Sequence, residues 1–147
     1  MSVETNKDAV RTFLAAMNEG AIDRAFSLLR PDCTWFSLAA RRFRTLTEMR
    51  AALEWVNTAA VTRPIQITVI GMIAEGDRVA AQCEGHAVTT TGRPYDNLYH
   101  FLFEFDGGLI SRIWEYNDTA HVNEVFRLAD EGTLDLRSDG PGDTPDE

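Results

Sequence analysis

Tyr95-Asp96-Asn97-Leu98-Tyr99-His100-Phe101-Leu102-Phe103-Glu104-Phe105 is the stretch that decides how this chain folds. Its odd positions hold five aromatics and one amide, whereas its even positions hold Asp96, Leu98, His100, Leu102 and Glu104. Side chains alternate sides along an extended strand, so the segment reads as a β-strand whose odd face is buried. Asn97 and Tyr99 then direct polar groups into an apolar interior, where each needs a partner. Either a ligand or a closed network of core side chains can supply it.

Three further β-like runs surround this one, at 65–74, 78–90 and 109–117. The connections are Glu75-Gly76-Asp77, Thr91-Gly92-Arg93-Pro94 and Asp106-Gly107-Gly108. Short glycine-containing links join neighbouring strands as antiparallel hairpins, and they leave no room for the helical crossover that a parallel sheet needs. Upstream the pattern is helical. Val10, Phe13, Leu14 and Met17 form one apolar stripe, Thr5-Asn6-Lys7-Asp8 resembles a capping box before it, and Gly20 ends it. A second helix runs through Ile22, Ala25, Phe26 and Leu29 to Pro31, followed by a brief strand at Cys33–Phe36. Thr45-Leu46-Thr47-Glu48 opens a third helix. Helices first and strands afterwards make an α+β domain, with a curved antiparallel sheet around an internal pocket.

Beyond the last strand, Asp118 caps a short helix carrying Val122, Val125 and Phe126. Residues 133–147 hold five acids and one base, too polar to offset the entropy of ordering, so the reading is one domain over 1–132 and a disordered acidic tail. Acids outnumber bases 23 to 14, giving a net charge of −9, which argues against nucleic acid as a partner. The one dense basic stretch, Arg41-Arg42-Phe43-Arg44, reads as a solvated loop before the third helix. Cys33 and Cys83 sit among apolar neighbours without metal-ligand spacing. The start of the chain lacks a secretion signal, and no run is long enough for a membrane span, so a cytoplasmic protein is expected. No P-loop, dinucleotide fingerprint, nucleophile elbow or metal motif occurs, and no cofactor is expected.

The segments Val10–Gly20 and Asp106–Ile110, with Trp114-Glu115-Tyr116-Asn117-Asp118, resemble the nuclear transport factor two-like superfamily, in particular its SnoaL-like and ketosteroid-isomerase-like members. The resemblance spans about residues 5–128 and implies a cone-shaped sheet plugged by helices, a cystatin-like α+β barrel, usually a homodimer. It implies fold more than activity, because this architecture hosts isomerases, cyclases, dehydratases, epoxide hydrolases and non-enzymes. The steroid isomerase's three acidic groups would fall at Phe13, near Ser37 and near Phe101. None of these can serve as carboxylate base or acidic donor, so the chain is not that isomerase.

Other groups remain as catalytic candidates. The resemblance puts Glu84 and His86 in the pocket, although Val79, Ala81 and Cys83 make the opposite face of that strand the more apolar. His86 titrates near neutrality and Glu84 could orient it; a lone strand histidine is also often structural. In SnoaL-like cyclases the proton-removing carboxylate follows a Trp late in the final strand, and Trp114-Glu115 matches with Glu for Asp. Alternation through Ile110, Trp114 and Tyr116 would instead turn Glu115 outward. Phe13, Trp35, Ser37, Trp55, Val88, Phe101 and Ile113 are the expected ligand-lining set. Two functions follow: a cofactor-independent acid/base enzyme acting on a hydrophobic polyketide-, steroid- or terpenoid-like molecule through Glu115, His86, Glu84, Tyr99 and Asn97, or a non-catalytic binding protein using the same pocket.

Overall fold

In the computed structural model, residues 2–129 are described. The boundary expected at 132 and the tail at 133–147 lie outside the described residues. Helix α1 spans Val3–Asn18, α2 Ile22–Phe26 and α3 Leu46–Trp55, the last running into a π-helical turn over Val56–Ala60. Strands β1 (Leu29–Ser37) and β2 (Arg42–Thr45) lie between α2 and α3; β3 (Gln66–Glu75), β4 (Arg78–Val88), β5 (Pro94–Asp106) and β6 (Leu109–Asn117) follow, and α4 (Thr119–Ala129) closes the order.

Local chemistry sets the helix ends. Helix α1 begins earlier than the Thr5–Asp8 box suggests, because Ser2 Oγ accepts the Thr5 N–H at 3.1 Å. Thr45 caps α3 as expected, its hydroxyl accepting from the Glu48 N–H at 3.2 Å. Gly20 ends α1 at φ +71°, with Pro64 against it, a conformation that favours glycine. Asn18 then clasps β3 to the helix: its amide donates to the Ile67 carbonyl at 2.8 Å and accepts the Ile67 N–H at 2.7 Å.

The six strands form one sheet in the order β2-β1-β6-β5-β4-β3. It is curved and remains unclosed, with β2 and β3 at its edges. The four late strands pair antiparallel, as their short turns require. The sheet as a whole is mixed, however, because β1 runs parallel to β6. The long stretch from β2 to β5 brings β6 back beside β1, a connection that hairpin-length reasoning could not see. Of Arg41–Arg44, expected as a solvated loop, residues 42–44 belong to edge strand β2, which runs on to Thr45.

Burial on β5 alternates as the sequence demands, with Tyr95, Asn97, Tyr99, Phe101, Phe103 and Phe105 all inward. Phe103 touches Phe13 of α1 edge-on at 5.8 Å between ring centres, and Phe13 meets Trp35 of β1 at 5.8 Å. The helices thus cover the inner face. Slips in register bend the sheet: the pairing jumps from Val69 to Gly71 on β3, and from Ile110 to Arg112 on β6.

Candidate active site

Between the inner face of the sheet and α1, α3 and α4 lies a cavity of about 160 Å³. Its walls are chiefly apolar, among them Phe13, Met17, Met49, Leu53, Ile67 and Phe126. A few polar groups interrupt them: Ser37, Arg44, Asn57, Tyr95, Tyr99, Glu115 and Asn117.

Glu115 is the carboxylate of this cavity. The β6 register slip passes over Ser111, so the strand changes phase there: Ile110 faces inward, and beyond the slip Ile113 and Glu115 do. Trp114 and Tyr116 consequently turn outward, against the alternation read from Ile110. Trp35 donates its indole N–H to Glu115 Oε1 at 3.2 Å, and the Asn117 amide donates to Oε2 at 3.1 Å. Protein surrounds the carboxyl everywhere except toward the cavity, and this loss of hydration raises its pKa from 4.5 to about 7. The Trp35 and Asn117 hydrogen bonds and the charge of Arg44 oppose that rise. Arg44 is only 4% exposed, on a strand whose register sets it opposite Trp35. A carboxyl so balanced can give up or take a proton at neutral pH.

Above it runs a hydrogen-bonded pair of phenols. The Tyr95 and Tyr99 hydroxyls are 2.5 Å apart, and the Asn97 amide donates to the Tyr95 oxygen at 2.9 Å. Burial pushes Tyr95 up to about 12 and Tyr99 well above its ordinary value, so both stay protonated as donors. Tyr99 reaches its place because Gly85 on β4 lies directly under its ring; a Cβ there would stand 2.5 Å from Tyr99 Cε2. Asn97 itself does not line the cavity. Its carbonyl oxygen accepts the Leu98 N–H at 2.7 Å and the Asp118 N–H at 3.1 Å, and its amide also donates to the Asp118 carbonyl at 3.2 Å. Of the two partners that the sequence left open for Asn97, the core network supplies it.

Of the expected ligand-lining set, Phe13, Trp35, Ser37 and Phe101 line the cavity. Trp55 packs half-buried against the core, Val88 is exposed, and Ile113 is sealed beneath the wall; none of the three lines the cavity. Glu84 and His86 lie on the outer face. Val79, Ala81, Cys83 and Gly85 take the inner positions of β4, and alternation turns the even residues outward. There His86 Nδ1 meets Asp96 at 2.7 Å, and that bond, more than Glu84, raises its pKa. Among the polar groups of the cavity, sequence reasoning missed Arg44, Asn57, Tyr95 and Asn117 as site residues. Arg44 carried one usable signal, the spacing of two from Arg42 across Phe43, which a strand would place on one face. Among the described residues no cluster of His, Cys, Asp or Glu could hold a metal ion.

A family model described as a SnoaL-like domain matches residues 10–113. The chain belongs to the SnoaL-like domain family. Among solved structures, this SnoaL-like domain is similar to PrhC from Penicillium brasilianum, with a TM-score of 0.80 and 18% identity over 92% of this chain and 95% of that one. It is also similar to a nuclear transport factor two-like protein of unknown function from Burkholderia pseudomallei (TM-score 0.74, 18% identity, 86% and 98% covered). A third is a protein of ketosteroid-isomerase-like fold from Catenulispora acidiphila in complex with trimethylamine (TM-score 0.69, 16% identity, 80% and 91% covered). No curated protein sequence matches the chain. At such identities the likeness shows the nuclear transport factor two-like fold. The family match also stops before Glu115, so the case for that residue rests on geometry.

Proposed function

We propose that the protein is a cofactor-independent acid/base enzyme that moves a proton on an apolar small molecule, with Glu115 as the base. The observation that carries this reading is a carboxyl with a pKa of about 7, facing a cavity walled by apolar side chains. Ionised Glu115 takes a proton from a substrate carbon. The electron pair of the broken C–H bond enters the adjoining π-system, and charge collects on the oxygen at its far end. Tyr99 donates a hydrogen bond to that oxygen. In an isomerisation the new Glu115 O–H returns the proton to the far carbon of the π-system. In a cyclisation the carbanion bonds to a second carbonyl carbon of the substrate and the resulting alkoxide takes the proton. In an elimination the electron pair expels a leaving group, which takes the proton. His86 and Glu84 stay outside this scheme, because they face away from the cavity.

Glu115→Gln should lower turnover by about two to four powers of ten, the usual contribution of a positioned acid or base. An unchanged rate on any substrate that the protein turns over would remove Glu115 from the role. Saturable binding of apolar compounds, none of which is turned over, would favour the alternative, a carrier using the same pocket.

Two copies are proposed to meet through the outer face of the sheet. Phe43 packs on Trp114 at 4.7 Å between ring centres, Phe36 touches both and also Tyr116, and on the same face Leu98, which shares a shallow hollow with Tyr116, is 67% exposed. Leu98→Asp should give a monomer in sedimentation; no change in mass would reject this surface. Buried, unpaired Cys33 and Cys83 fit a reducing compartment such as the cytoplasm.

A further inference from the structure

We infer that the cavity takes an uncharged molecule of about one ring, with an oxygen set on the Tyr99 hydroxyl, and that Asn97 and Tyr95 are positioning residues aiming that hydroxyl. The inference rests on the proposed function for the place of Glu115, and otherwise on volume and hydrogen-bond direction.

Size comes first. An apolar cavity of roughly 150 Å³ is known to hold a benzene. At about 160 Å³ this one has room within its walls for a single ring with a small substituent, and four fused rings would have to protrude through its mouth or displace a wall. Charge follows. The walls already hold Arg44 and Glu115 among chiefly apolar side chains, and a charged ligand would have to shed its hydration to enter that lining.

Direction is fixed by counting donors. The Asn97 side-chain oxygen accepts two backbone N–H groups, so its orientation is determined and its NH₂ must be the group donating to the Tyr95 oxygen. An oxygen that accepts becomes a better donor through its own O–H, which makes Tyr95 the donor of the phenol pair. Tyr99 then accepts from Tyr95, and its own hydrogen is left to point at what occupies the cavity. The chain Asn97→Tyr95→Tyr99 therefore ends in one polarised O–H inside an apolar space. A carbonyl or ether oxygen is its complement. Asn97 is anchored in turn by both backbone groups of Asp118, where α4 begins, so the donor is held from outside the cavity.

The test uses acetophenone with an isotope-labelled carbonyl, read by infrared spectroscopy, against the wild type, Tyr99→Phe, Tyr95→Phe and Glu115→Gln. Saturable binding should move the carbonyl stretch to lower wavenumber than in hexane. Tyr99→Phe should abolish the displacement, Tyr95→Phe should shrink it in a variant that circular dichroism shows to be folded, and Glu115→Gln should leave it in place. A tetracyclic steroid ketone should bind at least tenfold more weakly. No saturable binding, or a displacement that survives in Tyr99→Phe, overturns the donor; an identical displacement in Tyr95→Phe overturns the positioning role. Equal or tighter steroid binding overturns the size. Deuterium exchange into the acetophenone methyl group reports the base separately: binding without Glu115-dependent exchange would sink the proposed catalysis and leave the ligand assignment standing.

Discussion

Replacing Glu115 with Gln should change how stability depends on pH, in a direction that burial of the carboxyl dictates. In the unfolded chain this group titrates near 4.5, and in the folded protein near 7. Between those values the folded state keeps a proton that the unfolded state has released. Stability must therefore fall as pH rises through the window, by up to about 1.4 kcal/mol per pH unit. From 4.5 to about 7 the loss amounts to roughly 3 kcal/mol, fully expressed above the folded value. The amide cannot ionise and loses nothing. Its hydrogen bonds can be kept, since Trp35 can still donate to its oxygen. The Asn117 carbonyl oxygen, buried without a partner among the described residues, can accept from its NH₂ once the Asn117 amide turns over. Urea denaturation of both proteins from about pH 4 to pH 9 isolates the effect, because every other titration cancels in the difference. The difference should be flat below about 4.5, grow in favour of the variant as pH rises and level off above 7. A difference that stays constant across this range would refute the reasoning.

Other outcomes follow from the same geometry. Gly85→Ala drives a methyl into the Tyr99 ring and should cost about 1–3 kcal/mol in chemical denaturation while abolishing the Tyr99-dependent infrared displacement; an unchanged displacement would count against the packing described. Arg44→Leu removes a charge that lowers the Glu115 pKa, so the upper end of the pH window of stability loss should move above 7 while its lower end stays at 4.5; a downward move of the upper end would contradict the assigned sign. Burial raises the Cys33 thiol to about 12 and Cys83 to about 11, so both should react with a thiol reagent at pH 8 only as fast as the protein opens, and a rapid native reaction would show them exposed.

The fold was legible where one face of one strand repeats. Tyr95 to Phe105 holds its phase without interruption, and the turns around it are short enough to force antiparallel partners. Its limits were equally physical. The β6 pattern misleads because the slip at Ser111 changes phase within the strand, and because Trp114 and Tyr116 pack on an outer aromatic cluster instead of the core. Local alternation on β4 pointed Val79, Ala81 and Cys83 inward and His86 outward, and there it was a better guide than family resemblance. Arg44 read as solvated because a run of arginines usually is; pairing with β1 across the short turn after Ser37 sets it opposite Trp35, and there it is buried. Asn97 left a ligand and a core network equally open, since a sequence carries no record of which backbone groups of Asp118 stand beside it.

Titration of the Glu115 side-chain carboxyl carbon by nuclear magnetic resonance, assigned by its loss in Glu115→Gln, tests the account most directly. A midpoint near 7 is the expected result. A midpoint at the value of an ordinary, hydrated glutamate would mean that the carboxyl stands in water, and the cavity would have no base.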